Sequence, residues 1–133
     1  MPHETNRKAF LSAAQCASPL ASAYCSLVAI ELCLKDTAPT WPPIAHDVPQ
    51  MLTDLGDAGL VALAGRLRID LSSLNCTIRN GLSAPVNPRV YPDLRYARVD
   101  ADFPDGSPIS AFETLKTTVA DIITALDSKG VAP

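Results

Sequence analysis

Apolar residues recur along this chain at three- and four-residue spacing in several separate stretches, the period of helices that bury one face. Ala9, Phe10, Ala13 and Ala14 form a narrow stripe of small residues in a first helix, placed at 6–17, with Thr5 or Asn6 as its cap. Ser18-Pro19 then reads as a cap followed by proline at the first helical position. The second helix, 19–35, carries Leu20, Tyr24, Leu27, Glu31 and Leu34 on one face, with Ala23, Ile30 and Cys33 beside it. It is apolar almost all round, as expected of the central member of a bundle.

Pro39, Trp41, Pro42 and Pro43 exclude a helix over 37–45. A short third helix, 48–56, follows, with Asp47 as its cap and Val48, Met51, Leu52 and Leu55 as its apolar face. Over 58–80 the stripe Leu60, Leu63, Ala64, Leu67, Leu71, Leu74 and Ile78 predicts a long amphipathic helix, with Arg66, Asp70, Ser73 and Thr77 outside it and Gly81 as its stop. The last helix, 108–128, opens at Ser107-Pro108 or at a Ser110–Glu113 capping box, and it buries Phe112, Leu115, Val119, Ile122 and Leu126. Between these two lies a Pro-rich stretch, 82–106, with no helical period; Ala97, Val99, Ala101 and Phe103 alternate with polar residues there, so a short strand is allowed. The expectation is an all-α antiparallel bundle of four to five helices, in one domain spanning 1–133.

Composition supports this. At 133 residues the chain suffices for one core. The apolar fraction of 47% against 19% charged argues against disorder, and with aromatics at 5% among abundant Ala and Leu the balance tilts toward helix. A net charge of −3 disfavours gripping nucleic acid over the whole surface, since such binding rests on neutralising phosphates. Cys16, Cys25, Cys33 and Cys76 form no CxxC pair, which predicts buried reduced thiols rather than a disulfide framework or zinc site. No basic segment followed by an apolar one opens the chain, so the cytoplasm is the expected compartment. The most apolar run, 17–34, is broken by Pro19, serines and Glu31, which fits a core helix better than a membrane span.

Candidate chemistry is sparse. There is no phosphate loop, no GxSxG and no metal-spaced His pair, so neither a metal nor a cofactor is expected. His46 precedes the third helix and is read as fixing its start by hydrogen bonding or packing. Glu31 sits on the apolar face of the central helix, where a carboxylate costs several kcal/mol, of the order of 3–5, unless it is paired. Asn75 on the fourth helix, or an arginine from the Pro-rich stretch, is its expected partner, in a polar pair that fixes helix register; a catalytic carboxylate is the alternative. Arg79 and Asn80 finish the fourth helix, and Arg89, Tyr91, Arg95, Tyr96 and Arg98 follow. Guanidinium groups bind phosphate bidentately and tyrosines stack on bases, but the preferred reading of these arginines is that they are solvated or salt-bridged to the nearby aspartates.

Several of these segments resemble one family. The run from Ala21 to Lys35, ending Ile30-Glu31-Leu32-Cys33-Leu34-Lys35, is similar to the second helix of HEPN domains; His46-Asp47-Val48 resembles the His-Asp-Leu opening of that family's next helix. Leu74-Asn75 and Arg89-Val90-Tyr91-Pro92-Asp93 resemble its Leu-Asn and Arg-Tyr-Pro-Asp stretches, the latter with one residue inserted. The resemblance, in order from Arg7 to Leu126, implies a helical bundle that homodimerises, with a partner that is a nucleotidyltransferase-like or other protein, RNA or a nucleotide. Many members are metal-independent ribonucleases of toxin–antitoxin or defence systems, using an Arg, a polar residue and a His at a dimer cleft. Arg79-Asn80 matches the first half of that motif, but no His follows in the next six residues, Gly81 to Val86. The expectation is therefore a non-catalytic HEPN-like binding module, with a ribonuclease using Arg79 and an unrelated helical adaptor as alternatives.

Overall fold

The computed structural model describes residues 3–15, 18–37, 46–75, 91 and 108–131. Within them the chain is all-helical: α1 (Glu4–Ala13), α2 (Pro19–Thr37), α3 (Val48–Asp54), α4 (Ala58–Asn75) and α5 (Pro108–Ser128). Helix α2 packs against α1, α3 and α5, and α4 packs against α3 and α5, so α5 sits between α2 and α4. Ala23, Leu27, Ile30 and Leu34 of α2 meet Leu60, Ala64, Leu67 and Leu71 of α4 and the whole α5 stripe in one buried cluster. Phe112, Leu115, Val119, Ile122 and Leu126 are all at most 2% exposed, as a helix inserted between two others requires. No helix among the described residues is long and apolar enough to cross a membrane.

The helix ends show which local signals act. Ser18 Oγ accepts from the Ala21 N–H at 3.4 Å, and Asp47 Oδ1 accepts from the Gln50 N–H at 3.1 Å. Asp57, between α3 and α4, caps α4 through the Leu60 N–H at 3.0 Å, while its other oxygen meets Lys129 just beyond α5. Gly130 ends α5 at φ +74°, with its own N–H on the Asp127 carbonyl and the Val131 N–H on the Leu126 carbonyl. That is the Schellman arrangement, and Val131 packs on the core behind it.

Some boundaries differ from expectation. Helix α1 begins at Glu4 rather than Asn6, and neither Thr5 nor Asn6 caps it; the flanking residue is His3, which makes no side-chain cap bond. Its backbone N–H instead reaches Asp36 Oδ1 at 3.3 Å, while Arg7 meets Asp36 Oδ2 at 3.3 Å, so α2 anchors the start of α1 from outside. Helix α2 runs two residues further than expected, and the Thr37 hydroxyl donates to the Cys33 carbonyl in its last turn. With Pro108 already helical, Ser110 lies inside the first turn of α5 and not at a cap. Cys25 is half-buried and Cys33 buried, neither in a disulfide, and burial pushes the Cys33 thiol up. The expected end of the fourth helix, 76–80, Cys16, Cys76 and the 82–106 stretch apart from Tyr91 lie outside the described residues.

Candidate functional site

Among the described residues, a polar cluster centred on Glu31 lies in the interior of the bundle. Its position follows from α2 being surrounded: a residue at that point of the helix faces His46 at the start of α3 and Tyr91, whatever its polarity. Both oxygens are engaged. Lys35 Nζ, one turn along the same helix, donates to Oε2 at 3.1 Å, and each of these side chains is only 7% exposed. Oε1 lies 2.7 Å from His46 Nδ1 and accepts from the Tyr91 hydroxyl at 2.9 Å. A carboxylate oxygen offers two lone pairs, so Oε1 is saturated; because an ionised carboxylate only accepts, Nδ1 carries the proton, leaving Nε2 as the second ring nitrogen.

The aromatic rings complete the shell. Tyr91 stacks at a tilt on Tyr24, centroids 5.9 Å apart, and meets His46 edge to face at 6.3 Å. Opposite charges on Glu31 and Lys35 cancel within the cluster. Desolvating the two ions costs several kcal/mol each, of the order of 3–5, and the three hydrogen bonds offset it. Of the four hydrogen-bonded side chains, Glu31, Lys35 and Tyr91 are buried and His46 is open to solvent, at 37% exposure of its side chain. Any acid–base work would therefore fall to His46, not Glu31.

These placements rearrange the expected site. Glu31 is paired with Lys35, His46 and Tyr91; its expected partners, the Asn75 side chain or an arginine of the Pro-rich stretch, lie outside the described residues. Lys35 was available from spacing alone, since Glu four residues ahead of Lys is the favourable order on a helix. Tyr91, expected as a stacking platform, is 3% exposed and holds its hydroxyl on Glu31. His46 stands at the start of α3, its carbonyl accepting the Val48 N–H, beside the Asp47 cap. Arg79, Asn80, Arg89, Arg95, Tyr96 and the Asn75 side chain lie outside the described residues. No group of three or more His, Cys, Asp or Glu among the described residues is placed to hold a metal ion.

A second polar network joins α4 to α5: Thr118 donates to Asp70 Oδ2 at 2.5 Å, and Arg66 pairs with Asp121 at 3.0 Å. Between α3 and α4 there is a cleft of about 260 Å³ lined by Asp47, Pro49, Arg68, Leu71 and Ser72. No family model, curated protein or solved structure matches this chain.

Proposed function

We propose that this chain is a non-catalytic HEPN-like module that homodimerises and binds RNA, a nucleotide or a partner protein, with a toxin–antitoxin or defence system as its setting. One observation carries the reading. Three of the segments on which the HEPN resemblance rests supply Glu31 with Lys35, His46 and Tyr91, and the last three side chains meet at the Glu31 carboxylate. Chance likeness between helix bundles gives no reason for those segments to converge. The convergence is largely buried and both oxygens of its carboxylate are engaged, so its work is to fix α3 and Tyr91 onto α2 rather than to react. Arg89 and Arg95 stand two and four residues from Tyr91 in sequence, and Tyr91 itself is held in the core. Val61 and Ile69, exposed on α4, supply apolar surface for the dimer.

The test is incubation of the purified chain with labelled mixed-sequence single-stranded RNA in metal-free buffer, alongside its mass by light scattering. Retention without cleavage, weakened by Arg79→Ala, and a dimeric mass support the module. Cleavage abolished by Arg79→Ala would replace it with the ribonuclease reading, which the half-open His46 ring favours. A monomer that ignores RNA would leave a helical adaptor.

A further inference from the structure

The α3–α4 cleft is lined by none of the residues that contact Glu31 and carries its own chemistry. Arg7, Lys8, Lys35, Arg66 and Lys129 each have a carboxylate partner. Arg68 has none among the described residues: its Nη2 reaches only Gln50 Oε1 and Thr53 Oγ1, both at 3.5 Å, beyond the range of a good hydrogen bond. Asp47 lines the same cleft, with one oxygen on the Gln50 N–H and no ion-pair partner among the described residues. A guanidinium and a carboxylate thus share one cleft without meeting. Ser72, one helical turn beyond Arg68 and exposed, adds a hydroxyl, while Pro49 and Leu71 add apolar wall.

We propose that this cleft binds a small zwitterion of the α-amino-acid class with an apolar side chain, its carboxylate on Arg68 and Ser72 and its ammonium on Asp47. Charge decides the class. Arg68 only donates and Asp47 only accepts, so a ligand that serves both carries both signs. A phosphate would satisfy Arg68 and be repelled by Asp47. Size decides against a nucleotide: about 260 Å³ falls below the roughly 300–1,000 Å³ of pockets that take drug-sized ligands. The proposal goes beyond the binding function proposed above and stands on separate residues, so either can fail alone.

The test is a titration of the full-length ¹⁵N-labelled chain with L-leucine, 4-methylpentanoate, 3-methylbutylamine and inorganic phosphate, followed by amide shifts. Leucine is expected to shift the amides of residues 47–53 and 68–72 saturably, with the two half-ligands and phosphate weaker by roughly tenfold or more. Arg68→Gln and Asp47→Asn should each weaken leucine by a similar factor with Tm unchanged, since Arg68 is exposed and Asn is as good a cap as Asp. Absence of saturable shifts with leucine, phosphate or 4-methylpentanoate binding as tightly as leucine, or wild-type binding by both variants would each overturn the proposal.

Discussion

The Tyr91 hydroxyl donates to Glu31 Oε1 at 2.9 Å, joining positions 60 residues apart through the centre of the bundle. The donor is buried and the acceptor is a carboxylate in apolar surroundings, so this hydrogen bond belongs to the stronger class, those made to charged groups. Tyr91→Phe keeps the ring on Tyr24 and His46 and removes only the donor. It should destabilise the fold by about 1.5–3 kcal/mol. Urea denaturation should show a lower midpoint at unchanged slope; a midpoint equal to wild type would mean that the contact contributes nothing.

The Glu31–Lys35 pair predicts strong non-additivity. Glu31→Leu alone removes the carboxylate from beside a buried ammonium, and Lys35→Met alone removes the ammonium from beside a buried carboxylate. Each should cost about 3–5 kcal/mol, because breaking a buried ion pair from one side is the expensive change. The double variant removes both ions and should cost less than the sum of the singles by about 1–3 kcal/mol. A double-mutant cycle in urea measures this coupling directly. Simple additivity would show that the two ions do not stabilise each other.

Much of this fold was legible in the sequence, and the reason is periodicity. Phe112, Leu115, Val119, Ile122 and Leu126 announce a buried stripe because each is apolar and the spacing is local. Ser18 and Asp47 were readable as caps because a cap acts within three residues. The start of α1 was not, because its anchor is Asp36 on another helix. The same distinction governs the site. That Glu31 needed partners followed from its apolar face, and Lys35 lay within one helical turn. His46 and Tyr91 arrive from separate segments, and nothing local to either marks it as a donor to α2.

Asp57 makes the bundle acid-sensitive at one identifiable joint. Its hydrogen bond to the Lys129 ammonium, and next its bond from the Leu60 N–H, hold its carboxyl below the usual aspartate value of 3.8. A folded-state pKa below the unfolded one gives stability that is fully present above the unfolded value and is lost as pH falls through the folded one. Asp57→Asn keeps a capping oxygen and deletes the charge. Wild type should therefore exceed the variant in urea midpoint at about pH 6, and the gap should close as pH falls below 3.8 and on through the folded-state pKa. A gap that stays constant down to pH 2 would assign the difference to something other than this carboxylate.

Two glycines should respond to the same substitution with opposite sign. Gly65 lies within α4, outside the left-handed region, and a Cβ built there meets nothing within 4 Å. Gly65→Ala removes backbone freedom from the unfolded chain at no steric cost and should stabilise by roughly 0.5–1 kcal/mol. Gly130 also has open space around its would-be Cβ, but its φ of +74° is the left-handed conformation that closes α5. Gly130→Ala should therefore destabilise by roughly 1–2 kcal/mol through backbone strain alone. Because neither site has a steric neighbour, packing cannot explain a difference between them. Urea midpoints moving in opposite directions at equal slope are the expected result; a stabilising Gly130→Ala would mean that the α5 terminus opens without loss, and that Val131 contributes nothing by packing on the core.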